Sequence, residues 1–207
     1  METLIPLFFA AVVGFQHAFE ADHLVAVSSI VSKRNNTFLA VKDGIFWGLG
    51  HTSTILLIGL LILVGKIVMP EQVFSYLEAC VGVMLVVLGL YRLFKFFKYR
   101  NNHIHLIDEG KNHHLAYSVG MIHGLAGSGA MILLVMTEIK ETFDSILYLL
   151  IFGFGSIVGM LIAASFFSLP FSKRFANNEL IQSILILTSA TLCIILGFFV
   201  IYENIYG

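Results

Sequence analysis

The chain has 207 residues, of which 58% are hydrophobic and 12% charged, with a mean hydropathy of +0.91. A soluble domain carries about 25% charged residues and no long uncharged runs, so a soluble globular enzyme and a disordered chain are excluded. Twelve Lys and Arg against thirteen Asp and Glu give a net charge of -1, which leaves no polybasic surface for the phosphates of a nucleic acid.

A helix that crosses a bilayer needs about 20 mostly apolar residues. Six stretches qualify, over residues 4–31, 44–66, 74–94, 116–137, 144–168 and 180–202. They predict an all-α integral membrane protein, one domain of six transmembrane helices. Met1-Glu2 offers no basic n-region and the first apolar run contains ionisable residues, so that run is read as a retained span and not as a cleaved signal.

The first span holds His17-Ala-Phe-Glu20-Ala-Asp22-His23. Four ionisable groups at bilayer depth are expensive, about 2.5 to 3.5 kcal/mol for a central Asp on the lenient insertion scale. A divalent cation would compensate them, since imidazole nitrogen and carboxylate oxygen are ligands for Ni, Co, Zn or Fe. At about 100° per residue, Glu20 and His23 lie on one side of His17 and Asp22 on the other, so a regular helix cannot aim all four at one ion. Either the helix unwinds near Ala21, or Asp22 orients an imidazole from behind. The alternative is that His17 and His23 are hydrogen-bonded interior residues and the acids line a water-filled path.

The second span brings Gly48-Leu-Gly50-His51-Thr52-Ser53-Thr54 to membrane depth. His51 is a further ligand candidate there, with the hydroxyls serving its second nitrogen or a bound water; otherwise it caps a neighbouring carbonyl. In the segment 95–115, His103, His105, His113 and His114 accompany Asp108 and Glu109. Such a loop suits metal leaving the pore, or is a solvated linker. The fourth span opens His123-Gly124-Leu-Ala-Gly127-Ser128-Gly129, in which His123 is a weaker ligand candidate and the glycines favour close helix packing. Cys80 and Cys193 lie in apolar runs without a pairing pattern and are read as packing residues.

Basic residues set an expected orientation. With six spans, Lys66 and Lys140 fall on one side, while Lys33, Arg34, Lys42, Arg92, Lys95, Lys98, Arg100, Lys111, Lys173 and Arg174 fall on the other. The positive-inside rule then places loops 1-2, 3-4 and 5-6 in the cytoplasm and both termini outside the cytoplasmic membrane.

The halves of the chain also match weakly. Gly14-Phe-Gln-His17-Ala18 aligns with Gly120-Met-Ile-His123-Gly124 at an offset of 106, and Trp47-Gly-Leu-Gly50 with Phe152-Gly-Phe-Gly155 at 105. Leu88-Gly89-Leu90 aligns with Leu196-Gly197-Phe198 at 108. Repeats of three spans, about 4–94 and 116–202, would enter the membrane from opposite sides and so be inverted. Secondary transporters use that architecture, with the site near the midplane at the repeat interface and commonly on broken helices.

His17-Ala-Phe-Glu-Ala-Asp22-His23 and Leu49-Gly50-His51-Thr52 resemble the nickel/cobalt transporter family, marked by His-x4-Asp-His in one span and Leu-Gly-His-Ser/Thr in the next. The chain looks like the shorter six-span branch, the urease-accessory membrane proteins. The motifs cover residues 14–55, and the six-span outline extends the likeness along the chain. By this resemblance His17, Asp22 and His23 match the metal-selecting residues and His51 the second motif. Glu20 stands where longer members carry Asp, Ser28-Ser29 where an Asp-Asn pair is common, and Gly153-Phe-Gly-Ser156 lacks the acids of a later motif.

The expected function is a secondary transporter that imports a divalent transition metal, Ni²⁺ first and Co²⁺ second, by rocking one repeat against the other. Its metal residues are His17, Glu20, Asp22, His23, His51 and His123. No prosthetic group is expected, and no P-loop marks ATP hydrolysis. The expected partners are the metal ion, the lipid bilayer, a cytoplasmic metallochaperone or urease maturation proteins, and a second copy of the chain, with no nucleic acid. Metal efflux through the same site is the rival reading. An intramembrane metalloenzyme is the remote one, since no His-Glu-x-x-His motif is present.

Overall fold

Large apolar side chains cover much of the outside, and several ionisable ones are buried. Phe8, Phe143, Phe154, Phe166 and Tyr206 lie on the outside, whereas His17, His23, Arg34, Asp43, His51 and His123 are buried. A hydrocarbon solvent demands this arrangement, because every polar group must be satisfied within the protein.

The computed structural model describes residues 4–32, 34, 36–67, 70–100, 113–125, 142–171 and 179–207, and the regular elements among them are all helical. They are α1 (Leu4–His17), α2 (Ala21–Val31), α3 (Thr37–Gly65), α4 (Glu71–Arg100), α5 (114–125), α6 (Thr142–Ser168), a 3₁₀ turn (Leu169–Phe171) and α7 (Glu179–Tyr206). Four segments, Thr37–Gly65, Gln72–Lys98, Thr142–Phe171 and Leu180–Tyr206, are long and apolar enough to cross a membrane. Of the stretch 116–137, residues 116–125 are helical and the rest lies outside the described residues, as do His103, His105, Asp108 and Glu109.

The stretch 4–31 differs from the single span expected. It is two short helices, broken at residues 18–20. The amides of Phe19 and Glu20 donate to the carbonyls of Gln16 and His17, a tight turn that ends α1. Glu20 is then extended, at φ -63° and ψ 152°, and forms the N-cap position of α2, its carbonyl accepting from Leu24. Its carboxylate does not cap the helix. It reaches instead to Nδ1 of His17 at 2.8 Å. Asp22 falls in the first turn of α2, where the partial positive charge of the helix N-terminus favours a carboxylate.

Helices α3 and α6 pack against each other, α1 lies on α6, and α4 pairs with α7. The closest approaches are backbone to backbone. A Cβ at Gly14 would fall on the carbonyl of Phe152 in α6, and one at Gly120 in α5 on the carbonyl of Trp47 in α3. Likewise a Cβ at Gly155 would meet the Ala11 carbonyl, and one at Gly50 that of Tyr117. Only glycine permits such contact. Each contact has a counterpart at the offset of 105 or 106 that relates the two halves of the sequence.

The short helix α2 packs against α3, α4, α6 and α7. Val27 and Val31 of α2 share one apolar core with Leu85 of α4, Met160 of α6 and Cys193 of α7. The Cys193 thiol donates to the carbonyl of Val25 at 3.5 Å.

Candidate metal centre

The break in the first stretch brings its ionisable side chains to one place. His17 ends α1 and His23 begins α2, and their ring centroids lie 4.6 Å apart. From α3, His51 approaches both, at 5.2 Å from His17 and 5.2 Å from His23. From α5, His123 lies 4.7 Å from His23. The four imidazoles are buried, with His23 at the middle.

Three of these rings are oriented from behind. Nδ1 of His17 meets the Glu20 carboxylate at 2.8 Å, Nδ1 of His23 meets Oδ1 of Asp22 at 3.1 Å, and Nδ1 of His123 donates to the Val119 carbonyl at 3.3 Å. Anchoring Nδ1 turns Nε2 inward, and among the described residues Nε2 of His17, His23 and His123 has no hydrogen-bond partner; nor has either nitrogen of His51. Buried polar atoms are nearly always paired. Carboxylate or carbonyl on one nitrogen, with the other left bare, is the arrangement of metal-ligating histidines.

Two overlapping donor sets result, His17 with His23 and His51, and Asp22 with His23 and His123, each with its atoms within 4.8 Å of one another. Oδ2 of Asp22 is 3.7 Å from Nε2 of His123, too long for a hydrogen bond. Ligands on one ion with bonds near 2.0–2.1 Å lie about 3.0–3.4 Å apart, so a small contraction completes either set. Two aromatic side chains pack against the imidazoles. The Trp47 ring lies 5.6 Å from His23 and 5.5 Å from His123, and the Phe152 ring 5.5 Å from His17.

All six residues singled out in the sequence thus meet in one place. The hydroxyls near His51 do not join them. Thr52 donates to the Gly153 carbonyl, and Ser53 and Thr54 both donate to that of Gly50. Their hydrogens are consumed by backbone because a bundle without water must satisfy its own carbonyls.

A second polar cluster was missed. Asp43 in α3 accepts from Nε and Nη2 of Arg34 at 2.6 and 3.0 Å and meets Nδ1 of His113 at 2.6 Å. Its available signal was the spacing Asp43, Trp47, His51, one face of one helix. His113, grouped in the sequence with the loop histidines, belongs to this cluster, and its ring stacks on Phe46 at 5.0 Å.

A bundle with four helices long and apolar enough to cross a membrane, packed around buried imidazoles where a further helix breaks, fits a multi-span membrane protein. The chain is 35% identical over 185 residues to the urease accessory protein UreH of Bacillus sp. (strain TB-90), an alignment taking in 83% of this chain and 81% of that one. The chain belongs to the UreH family of urease accessory proteins. No protein-family model and no solved structure matches it.

Proposed function

We propose that the chain is a secondary transporter that carries a divalent transition-metal ion, Ni²⁺ foremost, across the cytoplasmic membrane into the cell. The observation that carries this reading is the set of buried imidazoles with unpartnered Nε2 atoms, gathered where a membrane helix breaks. An ion would take its ligands from His17, His23 and His51 or from Asp22, His23 and His123, with Glu20 holding His17 from behind. Urease is a nickel enzyme, so the accessory role in the relative's name favours Ni²⁺ over the metals that a His/Asp set would otherwise accept. Co²⁺ is the second candidate.

In this reading α1 and α2 together make one of six crossings, with the termini outside and the basic loops in the cytoplasm. The reciprocal contacts Gly14 with Phe152 and Gly120 with Trp47 support two inverted three-helix repeats, because an inverted pair exchanges each contact for its counterpart. The delivered ion would pass to a cytoplasmic metallochaperone or to the urease maturation proteins.

Uptake of radiolabelled Ni²⁺ by cells expressing the chain, with Co²⁺, Zn²⁺ and Mn²⁺ as competitors, tests the proposal. The expected result is saturable uptake, competed best by Co²⁺ and abolished in the His17→Ala, His23→Ala double variant. Equal uptake by that variant overturns it.

A further inference from the structure

We infer that the Arg34–Asp43 ion pair is a latch that positions α2, and with it Asp22 and His23, in the closed centre. Its part in a transport cycle rests on the function proposed above; its mechanical role does not.

Helix α2 is joined to its neighbours differently at its two ends. At the start, a turn at residues 18–20 and an extended Glu20 separate α2 from α1. At the far end the Arg34 amide donates to the Val31 carbonyl at 2.8 Å, so the guanidinium moves with the last turn of α2. Its fork then grips both oxygens of Asp43, at 2.6 and 3.0 Å. Asp43 belongs to α3, and His113, at the start of α5, holds the same carboxylate at 2.6 Å. Because α3 and α5 meet backbone to backbone at Gly50 and Gly120, Asp43 is fixed to a pair of helices, and Arg34 ties the far end of α2 to them. Arg34 and Asp43 are 6% and 2% exposed. A bidentate pair shielded from water is strong while both partners are present and costly once either is removed.

The latch and the metal centre share one face of α3. Asp43, Trp47 and His51 are four residues apart in succession, and the Trp47 ring packs against His23 and His123. Without the pair, α2 would keep its apolar packing on α4, α6 and α7 but lose the tie that sets its far end against α3, and would be free to shift about residues 18–20. His23 would leave the Trp47 ring, and Asp22 and His23 would leave His17, His51 and His123. Opening the latch therefore breaks both donor sets through their shared member, without altering a single ligand.

Trp47 is the chain's single tryptophan, and its burial reports the state of α2. In purified, metal-free protein, collisional quenching of its fluorescence by acrylamide should be weak. The population shift in Asp43→Asn or Arg34→Gln should raise the quenching constant at least about threefold, and Arg34→Lys, which keeps the charge but loses the fork, should fall between. Ni²⁺ uptake should drop at least about tenfold in Arg34→Gln and recover in part in Arg34→Lys. Should Asp43→Asn not fold, the two Arg34 variants carry the comparison. Quenching within error of wild type in folded Arg34→Gln and Arg34→Lys overturns the latch. Wild-type protein that takes up no Ni²⁺ overturns the transport reading instead, and the quenching result stands apart from it.

Discussion

The indole of Trp47 lies nearly parallel to the imidazole of His23, with planes 26° apart and centroids separated by 5.6 Å. A paramagnetic Ni²⁺ bound to Nε2 of His23 would therefore sit within a few ångströms of a fluorophore. Adding Ni²⁺ to purified protein should quench the Trp47 emission saturably, and His23→Ala should abolish the saturable part. Fluorescence titration reads this directly, and quenching that survives in His23→Ala would place the ion elsewhere.

The ligands and the groups behind them should separate by magnitude. Glu20→Gln and Asp22→Asn loosen His17 and His23 from behind, and losses of supporting groups cost about 10- to 100-fold in metal affinity. Asp22→Asn should fall at the upper end, since Asp22 also belongs to the second donor set. His23→Ala should exceed both, because His23 is common to the two sets. Isothermal titration with Ni²⁺ supplies the comparison, and a His23→Ala protein that binds as tightly as Glu20→Gln would refute it.

Removing His51 distinguishes the donor sets from each other. His51 belongs to the set with His17, and His123 to the set with Asp22. A His51→Ala protein should retain a site of two nitrogens and one carboxylate oxygen, whereas His123→Ala should retain one of three nitrogens. X-ray absorption at the Ni edge counts imidazole ligands and should find fewer in His51→Ala than in His123→Ala.

Backbone contacts should matter more to stability than buried hydroxyls. Overpacking typically costs about 1–3 kcal/mol, and Gly120→Ala or Gly14→Ala belongs at or above the top of that range because the obstacle is a carbonyl that cannot turn aside. Ser156→Ala removes one hydrogen bond, to the Gly14 carbonyl at 3.0 Å, and interhelical bonds in membranes average about 0.6 kcal/mol. Thermal unfolding in detergent should rank the glycine variants well below Ser156→Ala.

The helices α3, α4, α6 and α7 were legible in the sequence, because long apolar runs leave little choice of structure in a bilayer. So was the gathering of His17, Asp22 and His23, since ionisable groups so close together in an apolar run are costly in hydrocarbon unless they meet one another or a common partner. The break between α1 and α2 was legible only as one of two options. Helical spacing showed that a regular helix could not aim His17, Glu20, Asp22 and His23 together, but not which would yield. What escaped was long-range pairing. Arg34, Asp43 and His113 are each ordinary at a membrane edge, and nothing local marks that they meet. Thr52, Ser53 and Thr54 misled for the opposite reason, as their sequence position beside His51 implied a partnership that the backbone took instead.

The contact between Gly14 and Phe152 also bears on how the chain is made. Helix α1 leaves the ribosome before α6, the surface it packs against, which is encoded nearly 140 residues later. His51 likewise waits for α5 before His123 can face the centre. Contacts so distant along a chain are slow to form, and here the early segment carries two acids and two histidines into the lipid before its neighbours exist. Until α5 and α6 insert, that segment must be sheltered at the insertion machinery or rest near the membrane surface. Truncation before Thr142 should thus leave α1 accessible from water, while the complete chain draws it inward.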